Sequence, residues 1–203
     1  MAQPQKTGGG ELAMIYTFCR AVLRGAYALL FRLEARGLEN IPADGPVILC
    51  SNHISNFDPP TVGIKLSRKV HYMAKAELFD VPLFGPLIRA LGAFPVKRGG
   101  VSKDSIKTAI ALLKEGSVMG IFPEGSRNSG GDAAKKGAAM IAMRSGAVVI
   151  PVAISGSYKL FRKTVVSYGK PVDLSEFMNS SGDALEQVTR AIMMRIEELR
   201  KQA

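Results

Sequence analysis

The chain has 203 residues but little cysteine and histidine, two of each, and no tryptophan. Cys19 and Cys50 are too few for a disulfide framework, and His53 and His71 cannot complete a zinc finger of standard ligand spacing. The chain also lacks the G-x-S-x-G sequence on which α/β serine hydrolases carry their nucleophile. We therefore expect neither a metal site nor a serine nucleophile.

Positive charge dominates the composition, with 27 Lys+Arg against 17 Asp+Glu and a formal net charge of +10. This balance favours an anionic partner, but charge alone does not separate nucleic acid, an anionic membrane surface and phosphorylated small molecules. With 47% hydrophobic and 22% charged residues, the chain is typical of one globular domain with a substantial core.

The N-terminal part divides into a predicted disordered tail, residues 1–11, and a predicted membrane-surface helix, residues 12–36. The apolar run 12–31 would form a helix about 30 Å long, enough to cross a bilayer. However, Arg20 and Arg24 lie in its middle, and each would cost about 2.5–3.5 kcal/mol at the bilayer centre. We predict an amphipathic helix in the headgroup region; packing on the domain's own core is the alternative. The predicted lipid-facing residues are Ile15, Phe18, Val22, Leu29 and Leu30.

Residues 37–203 alternate short apolar runs with segments of helical periodicity. This pattern predicts an α/β fold, a single layered αβα domain with a mixed, largely parallel sheet. The predicted strands are 46–51, 70–74, 94–97, 117–122, 147–155 and 164–168. The clearest predicted helices are 102–115, 133–145 and 184–201.

An H-x-x-x-x-D sequence, His53 to Asp58, directly follows the predicted strand 46–51. Residues five apart diverge on a continuous helix, so these side chains can meet only if the chain turns between them. Pro59 and Pro60 favour a turn, with Asp58 as the N-cap of a short helix that begins at Pro59. The carboxylate would then hold one nitrogen of His53 and leave the other as a general base. Alternatively, Asp58 is only a helix cap and His53 a loop residue.

The group that this base would activate is not obvious among the protein's own side chains. Cys50 lies three residues before His53, but it stands in an apolar run where a small buried hydrophobe is the better interpretation. The simplest assignment is that His53 deprotonates a hydroxyl of the substrate.

The sequence Phe-Pro-Glu-Gly-Ser-Arg, residues 122–127, follows another predicted strand. If the two strands are parallel, His53 and Arg127 emerge at the same carboxyl edge of the sheet. Arg127 can bind a phosphate with two parallel hydrogen bonds, and the amides around Gly125 could support it. Glu124 would repel a phosphate and is expected to orient an arginine or accept a hydrogen bond from a substrate hydroxyl. The alternative is a Pro-Gly surface turn.

A third region places Lys75 and Arg98 at the two ends of a segment that contains the apolar run 81–94. This run could line an acyl groove or dip into lipid. A core loop with solvated cations is the alternative interpretation.

In chain order, these sequences resemble blocks of the glycerolipid acyltransferase family, specifically its bacterial 1-acyl-glycerol-3-phosphate acyltransferases. The similar blocks are NHISNFD at 52–58, GAFPVKR at 92–98, FPEGSR at 122–127 and IPVAI at 150–154, together with KKGAAMIA at 135–142. Asn128 and Ala76 depart from the family pattern, in which a serine and a second basic residue are common. These departures bear on substrate contacts and not on the reaction.

The resemblance implies that His53, oriented by Asp58, removes the proton from the free hydroxyl of lysophosphatidic acid. That oxygen would attack an acyl thioester on coenzyme A or acyl carrier protein and give phosphatidic acid. One base suffices because a thiolate leaves with little acid assistance. The same resemblance implies substrate contacts, mainly to the glycerol phosphate, by Glu124, Gly125 and Arg127, with Arg98 and Lys75 as further phosphate candidates.

The implied partners are a membrane lipid, the acyl thioester and the membrane surface, with no nucleic acid. No cofactor is implied besides the thioester co-substrate, and the implied location is the cytoplasmic face of the membrane, peripheral or monotopic. Three alternatives stay open. They are an acyltransferase for glycerol 3-phosphate or another lysophospholipid, a non-catalytic membrane-surface protein, and a basic nucleic-acid-binding module, which lacks a recognised signature here.

Overall fold

The computed structural model describes residues 9–96, 103–124, 132–178 and 183–202. Its strands are β1 (Glu34–Arg36), β2 (Val47–Ser51), β3 (Val70–Lys75), β4 (Ala93–Val96), β5 (Val118–Ile121), β6 (Val148–Gly156) and β7 (Thr164–Tyr168). They form one seven-stranded sheet in the order β1-β7-β6-β2-β5-β3-β4. The β6–β7 pair is antiparallel and the other neighbouring pairs are parallel, so the predicted mixed, largely parallel sheet is confirmed.

Helices cover both faces of this sheet. They are α1 (Gly9–Leu30), α2 (Asp58–Gly63), α3 (Phe84–Ala90), α4 (Lys103–Lys114), α5 (Asp132–Ser145), α6 (Ser175–Met178) and α7 (Ala184–Lys201). Two short 3-10 turns, Leu38–Asn40 and Ala76–Phe79, complete the described elements. The six predicted strands are present with ends that differ by at most one residue, whereas β1 was not predicted.

The N-terminal boundaries differ from the prediction at both ends. The helix begins at Gly9, so the last residues of the predicted tail 1–11 are helical, and residues 1–8 lie outside the described residues. The helix ends at Leu30 and does not continue to residue 36. After it Arg32 takes a left-handed backbone conformation, and Glu34 pairs with Val165 of β7. A three-residue edge strand has too few positions to show strand periodicity, which explains why β1 was missed.

Helix α1 has one face on the domain and one face in solvent. Tyr27 is buried and Leu23 and Leu30 pack on the same core, so the prediction that Leu30 faces lipid is wrong. The outward side carries large apolar residues that are 54–70% exposed, namely Met14, Phe18, Val22 and Leu29. Within the described residues, no helix has both the length and the apolar character that crossing a membrane requires.

The sheet separates two apolar cores, and β2 contributes to both. Val47 and Leu49 pack with residues of α1 and α2, whereas Ile48 and Cys50 pack with residues of α4, α5 and α7. A strand that is buried on both faces is expected to be apolar throughout, which explains the run VILC. Burial of each large aliphatic side chain contributes about 1.5–3 kcal/mol, so the central strand is held firmly in place.

The residue that follows β2, Asn52, is buried and pairs with β6. The Asn52 side-chain amide donates to the Ile154 carbonyl oxygen at 3.0 Å, and the Ile154 N–H donates to the Asn52 Oδ1 at 2.8 Å. These two bonds extend the contact between β2 and β6 by one residue beyond Ser51, which pairs with Val152. The next residue, His53, therefore lies at the carboxyl edge of the sheet.

Candidate active site

The side chains of His53 and Asp58 are in direct contact. The His53 Nδ1 and the Asp58 Oδ2 are 2.7 Å apart, and the Asp58 side chain is fully buried while that of His53 is 17% exposed. An ionised carboxylate only accepts hydrogen bonds, so Nδ1 carries the proton and Nε2 has a lone pair available to a substrate. In this geometry, Nε2 of His53 can accept a proton from a hydroxyl bound at the end of β2.

Asp58 closes the loop that carries His53. Its Oδ2 also accepts the backbone N–H groups of Ile54, at 2.6 Å, and Ser55, at 2.7 Å. Helix α2 begins at Asp58 itself, with Phe57 as the N-cap, so the prediction that Asp58 is the N-cap is wrong. The carboxylate does not cap its own helix because it turns back to the preceding loop, which is what brings it to the imidazole.

The other oxygen of Asp58 is bound by a residue that the sequence did not indicate. The Tyr158 hydroxyl, in the loop between β6 and β7, donates to the Asp58 Oδ1 at 2.7 Å and lies 2.8 Å from the Thr61 Oγ1. Tyr158 is 100 residues from Asp58, so no local motif could have predicted the contact. The buried carboxylate thus accepts four hydrogen bonds, which satisfies both of its oxygens.

A stack of aromatic rings fixes the plane of the imidazole. The His53 ring lies on Phe122, with centroids 4.4 Å apart and an interplanar angle of 23°, and Phe122 lies on Tyr72. A side chain at Gly120 would collide with the Tyr72 ring, so glycine in β5 is needed for this ring to lie against the strand. The backbone N–H of His53 also donates to the Glu124 Oε2 at 3.4 Å.

The predicted substrate-contact residues are only partly described. Glu124 lies beside His53, as the contact above shows, and Lys75 ends β3, which is parallel to β5 and therefore has its carboxyl end at the same edge. Gly125, Arg127 and Arg98 lie outside the described residues, as does Asn128. Their predicted phosphate contacts stay predictions.

Cys50 is confirmed as a buried hydrophobic residue. Its side chain is fully buried in the core shared with α4, α5 and α7, and burial raises the pKa of the thiol to about 12. A thiol with that pKa is almost entirely protonated near neutral pH, and the thiolate is the nucleophilic form. Within the described ranges, no group of three or more His, Cys, Asp or Glu side chains is placed to hold a metal ion.

A paired histidine and carboxylate at the carboxyl edge of a mixed α/β sheet is an arrangement that suits enzymes which activate a hydroxyl or water. The model of the family described as Acyltransferase matches residues 32–155. The chain is 36% identical over 192 residues to the 1-acyl-sn-glycerol-3-phosphate acyltransferase of Bacillus subtilis, covering 91% of this chain and 96% of the relative. The 1-acyl-sn-glycerol-3-phosphate acyltransferase of Streptococcus pneumoniae is 32% identical, over 96% of this chain and 76% of the relative.

A solved structure shows the same architecture. The 1-acyl-sn-glycerophosphate (LPA) acyltransferase PlsC from Thermotoga maritima superposes with a TM-score of 0.67 and 28% sequence identity, over 93% of this chain and 79% of that chain. The chain therefore belongs to the acyltransferase family.

Proposed function

We propose that the protein is a 1-acylglycerol-3-phosphate O-acyltransferase. It moves a fatty acyl group from an acyl thioester to the free hydroxyl of 1-acyl-glycerol-3-phosphate and forms phosphatidic acid. The observation that carries the proposal is the 2.7 Å contact between His53 and a buried Asp58 at the sheet edge. The named activity of the Bacillus subtilis relative, which matches nearly its whole length, supports the same substrate pair.

The proposed reaction needs one base. As the acceptor oxygen attacks the thioester carbonyl, the His53 Nε2 takes the hydroxyl proton, and the buried charge of Asp58 stabilises the imidazolium that forms. The tetrahedral intermediate collapses with cleavage of the C–S bond, and the imidazolium returns its proton to the departing thiolate. Base catalysis contributes about 10²–10⁴-fold, and the positioning of two bound substrates contributes much of the remainder.

The acceptor phosphate is proposed to lie at the same edge of the sheet. Lys75, exposed at the end of β3, is a candidate for the phosphate within the described residues. Arg127 with the amides around Gly125, and Arg98, complete the proposed phosphate contacts. Glu124, beside the base, is proposed to accept a hydrogen bond from the glycerol part. The acyl donor is coenzyme A or acyl carrier protein, and no metal or further cofactor takes part.

Acceptor competition tests this function. The full chain is supplied with a radiolabelled acyl thioester and with lysophosphatidic acid, lysophosphatidylcholine or glycerol 3-phosphate, and the products are separated by thin-layer chromatography. We expect label in phosphatidic acid and little transfer to the other two acceptors. Preferential acylation of glycerol 3-phosphate would identify the alternative acyltransferase, and no transfer to any acceptor would contradict the enzyme assignment.

We also propose that the protein binds the cytoplasmic face of the membrane peripherally, through the outward side of α1 and a neighbouring loop tip. Leu160 and Phe161 are each 62% exposed, and the Phe161 N–H donates to the Leu30 carbonyl oxygen at 2.6 Å, beside the exposed Leu29. Phe161 has a φ of 63°, which non-glycine residues rarely adopt. The exposed cations on either side of the tip, Lys159 and Arg162, favour anionic lipid by about 1 kcal/mol each.

Vesicle sedimentation tests this membrane surface. The double variant Leu160→Ser with Phe161→Ser is expected to bind anionic vesicles about tenfold more weakly or worse, because two large apolar groups no longer enter the lipid. Phe18→Ser with Val22→Ser is expected to act in the same direction. The matched control is Met194→Ser, which changes a residue that is 54% exposed on α7, across the sheet. Equal binding by all variants and wild type would contradict the proposal.

A further inference from the structure

Tyr158 is held in place from two directions. Its ring packs on Phe31 and Phe57, with centroids 5.4 and 5.5 Å away, and its hydroxyl lies between the Asp58 Oδ1 and the Thr61 Oγ1, at 2.7 and 2.8 Å. Ring packing of this kind keeps the residue in position even when the hydroxyl is removed. Removal of the hydroxyl oxygen should therefore abolish the hydrogen bond to Asp58 and leave the ring in place.

We propose that Tyr158 is a positioning residue of the general-base pair, acting on His53 through Asp58. This inference rests on the proposed function, in which His53 is the base. The three donors on Oδ2 leave Oδ1 to Tyr158. By donating to Oδ1, the phenol prevents rotation of the carboxylate and takes up part of its charge, so that the plane and the basicity of the imidazole both depend on it.

Of the ionisable groups that surround His53 and Asp58, Tyr158 is the one placed to orient the carboxylate. In the described part of the chain, Glu124 faces the pair from the end of β5 and Tyr27 faces it from α1. Tyr27 donates to the Phe57 carbonyl oxygen at 3.2 Å and so does not serve Asp58. Burial raises the pKa of both Tyr27 and Tyr158 well above the usual phenol value, so each hydroxyl stays a neutral donor. Tyr158 thus does not take the substrate proton itself.

Tyr158→Phe tests the inference, with Tyr168→Phe as the matched control. Tyr168 is also a buried tyrosine, but its hydroxyl donates to the Val62 carbonyl oxygen at 2.8 Å, away from the pair. For Tyr158→Phe we expect kcat to fall about tenfold with little change in the acceptor KM. We also expect the acidic limb of the kcat/KM profile to move to higher pH, because the unshared charge of Asp58 stabilises the imidazolium. Tyr168→Phe is expected to alter only thermal stability.

A second readout does not depend on turnover. The chain contains two histidines, so the ring proton signals of His53 and His71 can be followed by NMR through a pH titration of the free protein. We expect the His53 signal to titrate at higher pH in Tyr158→Phe, while the His71 signal is unmoved and Tyr168→Phe matches wild type. An unmoved His53 signal together with wild-type kcat would overturn the inference. Failure of wild type to acylate lysophosphatidic acid would instead contradict the proposed function, and the NMR comparison would still decide on Tyr158.

Discussion

His53→Ala is expected to lower kcat for acyl transfer about 10²–10⁴-fold, the whole contribution of base catalysis, while the protein stays folded and bound to vesicles. The effect is large because the alanine variant has lost the imidazole that accepts the hydroxyl proton. The fold is expected to survive because the His53 ring contacts Phe122 at the site's edge and belongs to neither apolar core. The measurement is single-turnover and steady-state transfer to lysophosphatidic acid, with thermal melting in parallel.

His71→Gln is the matched control for that variant. His71 lies in β3, where its Nδ1 is 3.0 Å from the Gly92 carbonyl oxygen, and burial lowers its pKa. The residue is thus a neutral structural group, and we expect kcat to stay close to wild type in the glutamine variant. Turnover at the wild-type rate in His53→Ala would exclude His53 as the base, whatever the result at His71.

Asp58→Asn is expected to reduce kcat about 10³-fold, within the range that general-base catalysis contributes, with a smaller effect on stability than Asp58→Ala. An asparagine oxygen can replace Oδ2 and keep the bonds from Ile54, Ser55 and His53, while its NH₂ group turns to the Tyr158 oxygen. The phenol proton then turns to Thr61, and of this network only the second N–H of the asparagine amide lacks a partner. The variant loses the negative charge that stabilises the imidazolium, and kcat falls for that reason.

Asp58→Ala separates the structural role of the Asp58 side chain in the loop from the role of its charge in catalysis. It leaves the backbone N–H groups of Ile54 and Ser55, in a partly exposed loop, and the ring N–H of His53 without their acceptor, so we expect a loss of about 3 kcal/mol in the free energy of unfolding. Urea denaturation of both variants measures the difference, and Asp173→Asn, at an exposed turn, is the control. An Asp58→Asn protein with wild-type kcat would remove the carboxylate from the mechanism.

Local patterns predicted the sheet well because most of its strands are buried. The doubly buried β2 appears in the sequence as an unbroken apolar run. The predicted contact between His53 and Asp58 is confirmed, but Pro59 and Pro60 lie within α2, and the chain turns before Asp58. The sequence only partly predicted which side of α1 faces the core. Leu30 has the apolarity of a lipid-facing residue, and only its packing against the core shows that it faces inward.

Tertiary contacts account for what the sequence did not show. Tyr158 reaches Asp58 across 100 residues, and neither its spacing nor its neighbours differ from those of an ordinary loop tyrosine. The three-residue strand β1 exists because β7 offers it an edge, not because its own residues favour a strand. Contacts of this kind depend on where distant segments pack, so a pattern within one segment cannot predict them.

The pairing of Asn52 with Ile154, 102 residues further along, also affects how the protein is made. A chain emerging from the ribosome completes the H-x-x-x-x-D sequence early, but the strand before it has no partners until β5 and β6 have been synthesised. Such distant pairings form slowly and leave apolar strand edges exposed in the meantime. During synthesis or refolding, activity should therefore return late, together with the last contacts of the sheet.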